Sequence, residues 1–219
     1  MVERFKSQAV MAVVGSLALI AAGCGTESGQ SVVGPSQEFA PGLIAMAPAG
    51  AVVGTSVILQ SNIAKAPWHY GSDPGGSDLS YSWDFGDGTS STGGDSISHV
   101  YATEGTFFAK VTASSSEAGS QQATSNIRVS SLTGRWTGDY GRVSITQDGL
   151  ELRGRYLDDP REGVVEGGIS TTGTVTFTVT RPGLDPVTFT GTAGPDVQTL
   201  VGTAKGRDAV GRPWKLTRG

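Results

Sequence analysis

Ser80-Tyr-Ser-Trp-Asp-Phe85 is the stretch that decides how this chain is read. Tyr81, Trp83 and Phe85 recur at every second position, with Ser80, Ser82 and Asp84 between them. A two-residue period is that of a half-buried β-strand, because successive side chains point to opposite faces. Gly86-Asp87-Gly88 follows at once and predicts a tight turn, since glycine takes positive φ at no steric cost. Downstream, His99-Val-Tyr101 precedes a second turn around Glu104-Gly105. Phe107, Ala109 and Val111 then line one face of a further strand, and Ile127 and Val129 one face of another. Upstream, Val57 and Leu59 share one face of Ser56-Val-Ile-Leu-Gln60.

The C-terminal part repeats the pattern. Val175, Phe177 and Val179 alternate strictly with Thr174, Thr176, Thr178 and Thr180, and Val187 and Phe189 continue the alternation. Eight short strands are expected, over 134–140, 142–147, 151–157, 163–170, 174–181, 186–193, 199–206 and 212–218. Turns are expected at Asp148-Gly149, Thr172-Gly173, Pro182-Gly183 and Gly194-Pro195. Eight strands joined by short turns can close on themselves, which removes exposed sheet edges. The expectation is an all-β chain: a first module of short alternating strands over 41–131, then a small up-and-down antiparallel β-barrel over 132–219. The segment beyond Cys24 shows no amphipathic helical period.

Composition narrows the function. The formal charge is −4, and an acidic chain lacks the basic face that phosphate attraction requires, so no nucleic-acid partner is expected. Cys24 is the only cysteine, so no disulfide can staple the domains. No Cys/His cluster has zinc spacing, and neither a P-loop nor a G-x-S-x-G appears. No cofactor, metal or catalytic residue is expected.

Trp83-Asp-Phe-Gly-Asp-Gly88, His99-Val-Tyr101 and Gly105-Thr-Phe107 together resemble the PKD family. The resemblance runs from about residue 42 to 130. It implies an immunoglobulin-like sandwich acting as a spacer or interaction module, without catalysis of its own. Some members bind calcium near the segment that here reads Ser72-Asp-Pro-Gly-Gly-Ser-Asp78. Glycine stands where a second Asp is often found, and a hard cation wants six to eight oxygens, so a strong calcium site is not expected. The C-terminal part resembles the lipocalin-like barrels that end many bacterial lipoproteins. Gly134-Arg-Trp136 and Arg218 echo the G-x-W and closing arginine of that family.

The N-terminus carries a separate message. Arg4 and Lys6 precede an apolar run from Ala9 to Ala22, shorter than the ~20 residues of a spanning helix. Ala22-Gly23 then gives a small-residue cleavage site before Cys24. This resembles a bacterial lipoprotein signal. It implies that residues 1–23 are removed and that Cys24 is acylated, palmitate included, and becomes the new N-terminus. Ala21 stands where the family prefers Leu. With Gly25 after the cysteine, the sorting rule of enteric bacteria implies the outer rather than the inner membrane of the cell envelope. Residues 24–40, rich in Gly and Ser, are read as a flexible tether.

Few side chains invite a chemical role. Asp84, Asp87 and the run Asp158-Asp-Pro-Arg-Glu162 are carboxylates at turns, where hydrogen bonding and solvation account for them. His99 is read as a structural hydrogen-bonder within the PKD pattern. Trp68-His-Tyr70, beside Pro67, offers two readings. Trp68 and Tyr70 contact a polysaccharide or protein ligand by stacking, or they fold onto the sandwich flank. Trp136, Tyr156 and Trp214 point into the barrel and either line an apolar cavity or fill it, since eight strands enclose little more than side chains. The expected function is therefore non-enzymatic interaction or adhesion at the envelope. A carrier of a small apolar ligand in the barrel is the alternative.

Overall fold

The computed structural model describes residues 43–63, 79–115, 119–158, 162–206 and 211–219. The fold is all-β, with no helix among those residues. The first module contains β1 (Leu43–Met46), β2 (Gly50–Val52), β3 (Ser56–Ile63), β4 (Ser80–Asp84), β5 (Ser90–Gly93), β6 (Ser96–Val100), β7 (Gly105–Ser115) and β8 (Gly119–Ser130). They form two sheets, ordered β1-β3-β6 and β2-β8-β7-β4-β5. The β2–β8 pair is parallel, whereas the others are antiparallel.

The inward positions are those the alternation picked out. Trp83, Phe85, Val111, Ile127 and Val129 meet Val57 and Leu59 in one buried cluster. Four strands were not anticipated: β6, whose His99-Val100 was read only as preceding a turn, and β1, β2 and β5. The last three are at most four residues long, too short for a period to declare itself.

The second module contains β9 (Gly134–Gly138), β10 (Gly141–Asp148), β11 (Glu151–Tyr156), β12 (Gly163–Ile169), β13 (Thr174–Thr180), β14 (Val187–Ala193), β15 (Thr199–Lys205) and β16 (Arg212–Arg218). They close into an antiparallel barrel in which each strand pairs with its chain neighbours and β16 returns to β9. β9 stops short of the expected Tyr140, because Asp139-Tyr140 turns the chain into β10.

Closure depends on inward glycines. A Cβ on Gly154, Gly167, Gly191 or Gly202 would run into a carbonyl oxygen of the neighbouring strand, respectively Ser144, Thr176, Val201 and Thr190. At these points the backbones approach as only glycine allows. The space saved is taken by large rings.

The two modules share a joint. Val52 is buried in the barrel's apolar cluster rather than in that of its own sandwich. The Ser56 amide donates to the Thr171 carbonyl at 2.8 Å. The Gln147 side-chain amide donates to Val53 O at 3.0 Å, while its oxygen accepts from Leu132 N at 2.7 Å. Gly50 lies against the Pro195 carbonyl so closely that a Cβ there would overlap it. The sandwich therefore covers the barrel end formed by the β10–β11, β12–β13 and β14–β15 turns.

Candidate functional site

The turn after β4 gathers most of the polar chemistry of the first module. Asp87 Oδ2 lies 2.7 Å from His99 Nε2, and Asp87 Oδ1 accepts from the amide and hydroxyl of Thr89. His99 stacks on Phe85 with ring centroids 3.8 Å apart and stands edge-on to Tyr101. The Tyr101 hydroxyl donates to the Phe85 carbonyl at 3.1 Å, and the Trp83 indole to the Gly94 carbonyl at 3.1 Å. Burial works to raise the Asp87 carboxyl, but the hydrogen bonds from Thr89 and His99 outweigh it and hold the group below its ordinary value. Burial, helped by the Asp87 charge, pushes the Tyr101 phenol up to about 12. The Asp87 carboxylate, His99 Nε2, the Tyr101 hydroxyl and the Trp83 indole all hold the turn against the core, which is a structural task.

The other carboxylates read the same way. Asp84 caps the Gly86 amide and lies 3.6 Å from Lys110. Asp158 takes both the amide and the guanidinium of Arg142, which keeps its carboxyl below the usual range. Glu162 faces Arg155 at 3.7 Å. Residues 159–161 of that acidic run lie outside the described residues, as do Cys24, Trp68, His69, Tyr70 and the 72–78 segment. No group of three His, Cys, Asp or Glu side chains comes together to hold a metal among the described residues.

Trp136 and Trp214 do point inward, and the barrel is filled. Phe177, Phe189 and Trp214 pack ring against ring, with centroids 5.0–5.6 Å apart. Trp136 is fully buried, and its indole donates to the Leu132 carbonyl at 2.9 Å. The Arg218 guanidinium lies over its ring at 4.8 Å and donates to the Thr133 and Ser131 carbonyls. That brings together the Gly134-Arg-Trp136 segment and Arg218 paired in the sequence reading. Tyr156 stands at the end away from the sandwich, under the Arg181 guanidinium at 4.9 Å. Among the described residues, a cavity of about 50 Å³ remains in the interior beside Tyr140, Tyr156 and Trp214. An apolar cavity that holds benzene measures about 150 Å³, so this one takes little more than a methyl-sized group.

Residues 43–129 match the family model of the PKD domain. This segment is a PKD domain. Within the chain, 38 residues are 58% identical to polycystin-1-like protein 1 of Homo sapiens, a match spanning 17% of this chain and 1% of that protein. Among solved structures, the PKD domain of an M14-like peptidase from Thermoplasmatales archaeon SCGC AB-540-F20 is 18% identical. It covers 40% of this chain and 91% of its own, with a TM-score of 0.31. A structure described for the promiscuous specificity of carbohydrate-binding modules of the β-sandwich superfamily is 20% identical. It covers 80% and 84% of the two chains, with a TM-score of 0.33.

Sequence reasoning missed the joint and the surface beside it. A groove of about 590 Å³ runs between β1 and β3 of the PKD domain and the barrel turns at Thr172-Gly173 and Gly194-Pro195. Met46 and Ile58 stand exposed along it. One signal was present: Val57-Ile-Leu59 is an unbroken aliphatic run, so whichever face Val57 and Leu59 bury, Ile58 must point outward.

Proposed function

We propose that this chain is a lipid-anchored, non-enzymatic interaction module of the cell envelope, held in the outer membrane through acylated Cys24. The PKD domain supports the coarse part of this reading, since its polar cluster is committed to structure and its usable features lie on its surface. The filled barrel supports the interaction reading over the carrier reading. The described cavity of about 50 Å³ favours a rigid body beside the PKD domain over a carrier of a small apolar ligand. The partner is a protein or a polysaccharide, with Trp68 and Tyr70 as one proposed contact. Ala22-Gly23-Cys24 supports the anchor. Several acyl chains, at about 0.8 kcal/mol per buried methylene, hold a protein on a bilayer far more firmly than one.

The test is radiolabelled palmitate incorporation in the producing bacterium, with fractionation of its membranes. The full chain should carry label and sediment with outer membranes, and Cys24→Ser should lose both properties. An unlabelled full chain recovered in the aqueous phase of a detergent partition would refute the anchor. Loss of partner binding in a Trp68→Ala, Tyr70→Ala double variant that melts like wild type would place the contact there. A lowered melting temperature instead would assign those rings to packing.

A further inference from the structure

The outward face of the β1-β3-β6 sheet differs from that of the other sheet of the same domain. Ile44, Met46, Ile58 and Val100 stand 43–60% exposed on it. Between them come only Ser, Gln and Asn, so no outward position of the three strands is charged. The other sheet of the same domain carries Asp84, Lys110 and Arg128 on its outer face. Interface cores are depleted of charge, and grouped exposed apolar side chains mark interaction sites. The face runs without a break into the groove at the barrel joint, and none of the described residues lining that groove is charged or aromatic.

Four observations choose the occupant. The face spans three strands of about five residues, roughly 14 Å by 17 Å or about 250 Å². A stable dimer needs about 800 Å² per partner, so a second copy is poorly matched. The described lining of the groove supplies no ring on which a sugar could stack, whereas Met and aliphatic side chains are the material of adaptable protein contacts. Its volume of about 590 Å³ lies within the ~300–1,000 Å³ of ligand clefts. The joint also fixes the two walls in advance through Val52, Ser56 and Gly50, which lowers the ordering entropy lost on binding.

We infer that this face and groove dock an extended, uncharged polypeptide segment bearing aliphatic side chains, presented by a partner protein. A charge on such a segment would be buried against a surface with no counter-charge, and discrimination follows from that. The inference rests on the reading of the chain as an interaction module and names the surface and the class of partner.

The experiment uses a surface array of random dodecapeptides, uncharged members alongside matched members with one Asp or Lys, probed with the full chain. Uncharged peptides rich in Val, Ile and Thr should be retained about tenfold or more over their charged counterparts. That retention should vanish in both Met46→Lys and Ile58→Lys. Both side chains are solvent-exposed, so unchanged melting curves verify that the fold persists. Retention blind to charge, retention unaffected by either variant, or no retention at all overturns the inference. Displacement by maltohexaose would make the groove a polysaccharide site, and a dimer abolished by Ile58→Lys would make the face a self-association surface. Either outcome also overturns it. Cys24→Ser should retain the same peptides, so failure of the anchor and failure of docking are told apart.

Discussion

The joint predicts that the two modules unfold together. Val52 is 5% exposed and belongs to the barrel's cluster, and burying a valine is worth about 1.5–3 kcal/mol. The hydrogen bonds from Ser56 to Thr171 and from Gln147 to Val53 add about 1 kcal/mol each. The coupling is then about 4 kcal/mol, which suppresses a state with one module folded by roughly three orders of magnitude. Calorimetry of the wild type should show one transition, with calorimetric and van't Hoff enthalpies equal. Val52→Asp puts a carboxylate where only apolar groups meet it, which costs several kcal/mol if the joint stays shut. The joint should open, and two transitions should separate. Gly50→Val, which drives a side chain into the Pro195 carbonyl, should act alike by a different route. Two resolved transitions in the wild type, or a single unshifted one in both variants, would refute the coupling.

Further outcomes follow from the two cores. Trp83→Ala removes a fully buried ring and should destabilise the PKD domain by about 3–5 kcal/mol, lowering the barrel transition with it, as followed by denaturant titration. Gly167→Ala should destabilise the barrel by about 1–3 kcal/mol or more, because the new methyl meets the Thr176 carbonyl and Phe177. The Tyr101 phenol is raised in the folded state, so its contribution is complete below about pH 10 and lost as pH rises toward about 12. Alkaline melts of the wild type should fall through that window by about 2–3 kcal/mol. Tyr101→Phe should flatten the fall while losing the bond to Phe85 at neutral pH. The lowered Asp87 carboxyl contributes stability above the ordinary carboxylate range that is lost as pH falls below it. Asp87→Asn should therefore remove that part of the acid sensitivity in acid titrations followed by tryptophan fluorescence.

Much of the fold was legible because burial in a half-exposed strand repeats every second residue. Tyr81-Ser-Trp-Asp-Phe85 and Val175 to Val179 announced their strands, and the eight barrel segments lie close to where alternation and turn residues put them. Closure was a topological expectation, since pairing of Leu216–Arg218 with Trp136–Gly138 leaves no mark on either segment alone. Whether Trp136 and Trp214 lined a cavity or filled it depended on ring packing, which no linear pattern encodes. Val52 was illegible for a similar reason. It lies in a three-residue strand, and the cluster that buries it belongs to another module. The uncharged face was half legible: Ile58 broke the alternation, but Ile44 and Val100 become its neighbours only when β1, β3 and β6 pair.

The return of β16 to β9 also sets an order of events. Every other pair in the barrel joins strands adjacent in the chain, and those hairpins can form as soon as both arms exist. The closing pair joins the first strand to the last, so it is the least local contact and among the slowest to form. Until Arg218 reaches Trp136 and the Ser131 and Thr133 carbonyls, the module is a curled ribbon with two raw edges. A ribbon in that condition can accept a strand from another copy as readily as its own. The interval before closure is thus when this chain is most exposed to domain exchange, and a partner that shields the β9 edge would act as a folding escort.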